Sequence, residues 1–312
     1  MHMMKNFNSE DIGNAAPIER WVTAMEQAFV DTTIGVVEVP ERVHIDRGPN
    51  TFLLMPCFGP TYFSTKLVSV FPKNLQLKEP VIYGSVLLND GETGRPLAVM
   101  DGSKLTAMRT AAVGAVGIQY LAPEDASSLG VIGLGIQGFH QALFACQQRS
   151  IEIIRIFDRS REVIDRFTER LLAFYPDLQV LPCASADELC DKSEIIITAT
   201  SSHNAVVPST GKWWKGKTII GIGSYKPDMR EFPDEIFEDL QQVFVDTPVA
   251  MKETGDLMEP LKKGFINEGQ ILTLSDLIMD RVKLNGETRF FKSVGMAAFD
   301  LYAAKLVFES LS

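Results

Sequence analysis

Gly133, Gly135 and Gly138 stand in Gly130-Val131-Ile132-Gly133-Leu134-Gly135-Ile136-Gln137-Gly138, and Asp158 follows 20 residues after the last of them. Glycines at this spacing suit a phosphate. The first allows a tight turn, the second lets the backbone approach a pyrophosphate, and the third lets a helix pack closely on a strand. The N–H groups that open the helix then face the anion. An acid about 20 residues further on can take the adenosine ribose hydroxyls. The glycines alone mean little, so the surrounding elements decide. Ser128–Gly133 reads as a strand, Gln137–Gln147 as a helix, and Glu152–Asp158 as a second strand that ends on the acid. A dinucleotide-binding loop is therefore expected, against the alternative of a glycine turn that binds nothing. Asp158 should repel a 2′-phosphate and favour NAD(H). Arg159, Ser160 and Arg161 could bind that phosphate, which keeps NADP(H) open.

A second set of residues places charges among apolar neighbours. Lys66 lies in a predicted strand of otherwise apolar or small residues, and Arg109 in a mostly apolar predicted helix. Arg42 sits in Pro40-Glu41-Arg42, with Arg47 close by. Fixed cations in apolar surroundings suit an anionic ligand, and Arg grips a carboxylate through two parallel bonds. The competing reading, a surface charge, is the commoner one for a lone Lys or Arg. Thr200, Ser201 and Ser224 follow the predicted strands Glu194–Thr198 and Thr218–Ile222, at carboxyl ends where ligands sit in such sheets. No metal site is expected. His2, His44, His140 and His203 are dispersed, and Cys57, Cys146, Cys183 and Cys190 form no CxxC pair.

These residues need elements to place them. Ile18–Phe29 reads as a helix with Ile18, Trp21, Met25 and Phe29 on one face. Val36–Val39, Thr51–Met55, Tyr62–Val70, Val81–Leu88 and Leu97–Met100 read as strands, with a turn at Asn89-Asp90-Gly91. Asp101–Leu121 reads as a helix. After Pro123-Glu124-Asp125 strands and helices alternate: Arg161–Phe174 is a helix, Gln179–Pro182 a strand, Ala186–Cys190 a short helix, and Gln242–Val245 a strand. That alternation implies a parallel sheet covered on both faces. Val294–Leu311 reads as one long helix that leaves the parallel unit and packs back on the N-terminal strands.

Composition narrows the partners. The chain has 312 residues, 46% hydrophobic and 22% charged, with a net charge of -10 and no basic run. Such a chain repels nucleic acid and anionic lipid unless a basic patch is concentrated somewhere, so neither is an expected partner. Met1 to Glu10 is polar, unlike a secretory signal, and no apolar run approaches a membrane span. A cytoplasmic protein with reduced thiols is expected.

Several phrases together resemble the ornithine cyclodeaminase/mu-crystallin family. They are Thr65-Lys66-Leu67-Val68-Ser69 running to Pro72-Lys73-Asn74, Asp90-Gly91-Glu92-Thr93-Gly94-Arg95-Pro96-Leu97, and Leu105-Thr106-Ala107-Met108-Arg109-Thr110-Ala111-Ala112. The glycine loop, Gly223-Ser224-Tyr225-Lys226-Pro227-Asp228-Met229-Arg230-Glu231 and Ser293-Val294-Gly295-Met296-Ala297 complete the series. The resemblance implies an α/β fold with a doubly wound Rossmann domain, residues 121–292, inserted in an α+β domain for substrate and dimerisation, residues 1–120 plus 293–312. It implies a homodimer, and an enzyme acting on α-amino or α-imino acids. Arg42, Lys66 and Arg109 fall on its substrate-binding positions, with Lys66 and Arg109 closest to the chemistry. Asn74, Thr110, Ile136, Gln137 and Met296 fall on positions that touch the cofactor.

One position departs from the cyclodeaminases. Their activating Asp is replaced here by Tyr225, which is expected to contact the substrate but whose phenol, with a pKa of about 10, is a poor base at neutral pH. The phrase is similar to the ketimine reductase branch. A reductase of cyclic imino acids of the pyrroline-2-carboxylate or piperideine-2-carboxylate type is therefore expected. The alternatives are a cyclodeaminase, an alanine-dehydrogenase-like enzyme, and a crystallin-like cofactor binder with little catalysis.

Overall fold

In the computed structural model the described residues are 3–312, the side chain of Leu75 excepted; Met1 and His2 lie outside them. The chain forms two compact units, Met1–Arg109 with Met296–Ser312, and Thr110–Gly295.

The first unit is built on a six-stranded sheet. Its strands are β1 (Lys5–Phe7), β2 (Val43–Arg47), β3 (Asn50–Phe58), β4 (Tyr62–Val70), β5 (Ile82–Asp90) and β6 (Pro96–Asp101), in the order β1-β6-β5-β4-β3-β2. β1 runs parallel to β6, and every other pair is antiparallel. Alternation along the strands sends Met55, Cys57, Ser64, Lys66, Val86, Leu88, Ala98 and Met100 to one buried face. The C-terminal helix Ala297–Leu311 covers that face, and Phe299 meets Phe29 of the helix Ile18–Thr33 edge to face at 4.8 Å. Val43, Ile45, Phe52 and Tyr83 point the other way, and each is more than a third exposed.

The second unit holds a parallel sheet of eight strands: β7 (Ser128–Ile132), β8 (Ile153–Phe157), β9 (Gln179–Pro182), β10 (Ile195–Thr198), β11 (Thr218–Gly221), β12 (Val243–Val245), β13 (Ile271–Thr273) and β14 (Arg289–Lys292). Their order is β13-β12-β14-β11-β10-β7-β8-β9. The chain winds outward from β7 to β9, then returns to lay β10 on the other side of β7. That reversal opens a crevice at the carboxyl ends of β7 and β10, the place where open α/β sheets bind ligands.

Several boundaries differ from those expected, each for a local reason. Val36–Val39 form no strand, because Val36 and Val37 turn their N–H groups onto the Asp31 carbonyl at 2.9 and 3.4 Å. Asp101 stays in β6, and its Oδ1 accepts from Lys104 N at 2.7 Å to start the helix Gly102–Leu121. Likewise β5 runs through Asp90, whose carboxylate and carbonyl then close the turn to Gly94. The C-terminal helix begins at Ala297 rather than Val294, because Val294 N and Gly295 N donate to Asp246 Oδ2 at 2.9 and 2.6 Å. β1, β2, β13 and β14 were not expected. They are short, or carry charges that hide the strand pattern.

Candidate active site

The glycine loop leaves β7 and opens the helix Ile136–Gln148. Gly133 has φ +89°, where a Cβ would also meet Ala199 O at 2.7 Å, and a Cβ on Gly138 would meet Gly133 O at 2.0 Å. The protein itself requires both glycines. Gly135 is different. It stands at the N-cap, no side chain caps the helix there, and a Cβ would enter open space. A pyrophosphate on those N–H groups would account for both the glycine and the uncapped N-terminus. Asp158 follows β8. Its Oδ2 accepts from Leu134 N and its Oδ1 from Ser160 N, each at 3.0 Å, so the acid is fixed against the loop with lone pairs to spare for a ribose diol. Ser160 is engaged as the N-cap of the helix Arg161–Phe174, and Arg161 pairs with Asp165 at 3.0 Å. Those bonds draw two of the three candidate 2′-phosphate ligands into local structure; Arg159 is exposed. The residues present therefore fit a dinucleotide, and NAD(H) better than NADP(H).

The loops after β10 and β11 are held by one buried acid. Glu231 Oε1 accepts from Thr200 N and Oγ1 at 2.7 and 2.9 Å, and Oε2 accepts from Gly223 N and Ser224 N at 2.7 and 3.1 Å. Asp256 Oδ1 in turn accepts from Glu231 N and Phe232 N at 2.7 and 3.1 Å. Lys292 Nζ lies 3.0 Å from Asp256 and 3.7 Å from Glu231, and all three side chains are fully buried. Burial raises the Glu231 carboxyl, with Lys292 pulling against it. This network was not foreseen; Glu231 drew notice only as part of a phrase.

Thr200 and Ser224 thus sit at the expected carboxyl ends, and Ser201 is exposed beside them. Tyr225 is 42% exposed. Asp228 lies in a turn after Pro227, exposed, with its carbonyl 2.7 Å from His203 Nδ1. Thr110 is buried, and its carbonyl accepts from Gln141 Nε2 at 2.9 Å. Gln137 is part-buried at the start of the loop's helix, and Ile136 beside it is 66% exposed. In the first unit, Asn74 donates to the Pro80 carbonyl at 2.8 Å, and Met296 is the buried N-cap of the C-terminal helix.

The first unit brings the expected cations together. β-sheet register sets Phe7, Met100, Val86, Lys66 and Met55 side by side across five strands, so Lys66 is the one charge in an apolar row. Arg109, on the helix Gly102–Leu121, is buried as well. They share a residue that sequence reading missed, Asp300. Lys66 Nζ lies 2.7 Å from its Oδ2, and Arg109 Nε 3.2 Å from its Oδ1. The signal was there: one acid amid Ala297-Ala298-Phe299 and Leu301-Tyr302-Ala303, all buried. Burial pushes the Asp300 carboxyl up, but the two cations more than reverse this and hold it below the usual range. Burial lowers Lys66 to about 8; Asp300 opposes that fall, while the like charges of Arg109 and Arg42 add to it. Arg42 therefore acts on the same site from just before β2. Among the described residues, no hydrogen bond is recorded from the terminal nitrogens of Arg109.

Comparisons with known proteins give the chain's family. The family described as ornithine cyclodeaminase/mu-crystallin matches residues 2–312. A Delta(1)-pyrroline-2-carboxylate reductase of Bacillus cereus is 33% identical, over 83% of this chain and 81% of its own. The ketimine reductase mu-crystallin of Rattus norvegicus is 33% identical, over 80% and 76%. The Delta(1)-pyrroline-2-carboxylate reductase of Thermococcus litoralis, solved with NADH and L-proline, superposes with a TM-score of 0.90 at 32% identity, covering 98% of this chain and 97% of that one. The chain belongs to the ornithine cyclodeaminase/mu-crystallin family.

Proposed function

We propose that this protein reduces cyclic imino acids with NAD(H), giving L-amino acids such as proline. The observation that carries the reading is the buried Lys66–Asp300–Arg109 cluster. Two cations share one carboxylate, so one positive charge is left over in apolar surroundings. A surplus charge there is costly until an anion meets it. Pyrroline-2-carboxylate and piperideine-2-carboxylate carry such an anion next to the C=N bond. Arg109 offers its two terminal nitrogens to the carboxylate, and Arg42 adds charge. Lys66, an ammonium poised near neutral pH, supplies a proton to the imine nitrogen as the adjacent carbon is reduced. The hydride for that carbon comes from NAD(H) when it is bound.

The glycine loop and Asp158 are the groups that would hold the dinucleotide. Ile136, Gln137, Thr110, Thr200, Ser201 and Ser224 are the proposed cofactor contacts on the second unit; Asn74 and Met296 of the first unit fall on cofactor positions by the family resemblance. In this division of labour the second unit carries the cofactor and the first the substrate. The relatives that bear the names pyrroline-2-carboxylate reductase and ketimine reductase support the reading. Cyclodeamination would need a free carboxylate against the substrate's side-chain amine. Tyr225 cannot serve, Asp228 is exposed in its turn, and both oxygens of Asp300 are taken.

The apolar outer face of the first sheet supports a homodimer, and light scattering giving the 34.6 kDa monomer at micromolar concentration would contradict it. No helix among the described residues is long and apolar enough to cross a membrane. Function in the cytoplasm is part of the same reading, supported by four free cysteines. The direct test is a panel of cyclic imino acids, and of α-keto acids with ammonia or amines, followed by NADH absorbance. Fastest NADH consumption with a cyclic imino acid is expected; turnover confined to keto acids with ammonia would make the protein an alanine-dehydrogenase-like enzyme.

A further inference from the structure

Asp300 is the single buried acid among the described residues of the first unit. It sits in a helix whose neighbouring residues are apolar or aromatic and buried, where an ionised carboxylate is unfavourable unless paired. Stability alone does not call for it. Buried ion pairs can commonly be replaced by apolar residues of similar volume without loss. Its two oxygens go to two different cations, one from a strand and one from a helix. That arrangement fixes the separation and direction of Lys66 and Arg109.

We propose that Asp300 is the positioning residue of the substrate site: by engaging Arg109 through Nε and Lys66 through Nζ, it turns the terminal nitrogens of the guanidinium and the remaining protons of the ammonium toward the carboxylate and imine nitrogen of one substrate. This rests on the imino-acid reading above. Asp300 also keeps the proton on Lys66. The groups facing Lys66 are Asp300 from the C-terminal helix, Arg109 from the helix Gly102–Leu121, and Arg42 from the segment before β2. Cys57 of β3, near Asp300, is a thiol that burial and then the Asp300 charge push up to about 12, so it stays neutral. Of these, only Asp300 favours the charged lysine. Removing its charge lowers the pH at which Lys66 gives up its proton.

The test compares wild type with Asp300→Asn and Asp300→Glu. Two quantities are followed against pH: kcat/KM for a cyclic imino acid with NADH, and binding of pyrrole-2-carboxylate, a planar carboxylate that cannot accept hydride, to protein saturated with NAD+. Wild-type kcat/KM is expected to fall as pH rises through about 8. In Asp300→Asn that limb should move down by at least about one pH unit, with analogue binding weakened at least ~10-fold and NADH affinity within about twofold. Asp300→Glu keeps the charge and moves it by one methylene, so the limb should stay while the analogue again binds at least ~10-fold more weakly. Should Asp300→Asn not fold, the Asp300→Glu result stands by itself. Analogue binding and pH limb unchanged in the folded variants would make Asp300 a structural residue and overturn the proposal. If wild type consumes no NADH with any cyclic imino acid, the imino-acid reading fails, and analogue binding still decides the role of Asp300.

Discussion

Each unit buries an ionic cluster, and the two are built with opposite arithmetic. In the second, one cation, Lys292, faces two carboxylates, Glu231 and Asp256. The surplus negative charge is met by six donors, five backbone N–H groups and the Thr200 hydroxyl. No oxygen of Glu231 is left without a donor, and the cluster's work is to tie the loops after β10 and β11 to each other. In the first unit two cations face one carboxylate. The surplus there is positive, and among the described residues neither Lys66 nor Arg109 donates a hydrogen bond to a backbone carbonyl. A buried cluster whose surplus charge is met by its own backbone donors is scaffold. A buried cluster left with a net cation is a place for an anion.

Three experiments would break or sharpen that contrast. Arg109→Ala should lower kcat/KM by about 10³-fold with NADH affinity within about twofold, since it removes a carboxylate partner in a desolvated site. Stopped-flow kinetics and NADH fluorescence titration read both, and unchanged kinetics in a folded variant would move Arg109 to the scaffold class. Lys292→Met should instead act on stability, costing roughly 3–5 kcal/mol by leaving two buried carboxylates without a cation. Denaturant unfolding measures this; a loss below about 1 kcal/mol would mean the backbone donors suffice alone. Gly135→Val is the subtlest. A Cβ at Gly135 meets open space, so unfolding should change only by the loss of a favoured N-cap residue, about 1 kcal/mol, while NADH binds at least ~10-fold more weakly. Gly133→Val, strained at φ +89°, should destabilise the fold more, and equal stability losses in both variants would remove the argument for a phosphate cradle.

How much of this was legible in the sequence follows from the range of the interactions. The glycine loop is a local device of strand, turn and helix, with Asp158 one βαβ unit away, and those elements were readable to within a residue at each end. So were β4, the helix Arg161–Phe174 and β9, whose patterns end at clear breakers. Lys66 and Arg109 could be picked out as charges in apolar runs, but their counter-ion lies 191 residues from Arg109 in a helix that reads as plain core. Glu231, Asp256 and Lys292 are likewise joined only by the fold. β14 escaped because Arg289 and Lys292 flank its two phenylalanines, and the alternating period is lost in four residues.

The central claim is that this site closes no ring and only reduces one already formed. Supplying L-ornithine with a catalytic amount of NAD+, and separately pyrroline-2-carboxylate with NADH, tests it most directly. The account predicts one NADH consumed per proline formed from the cyclic imine, and neither proline nor ammonia from L-ornithine. Rapid release of proline and ammonia from L-ornithine, without net change in NADH, would contradict it and make Asp228 the first residue to replace.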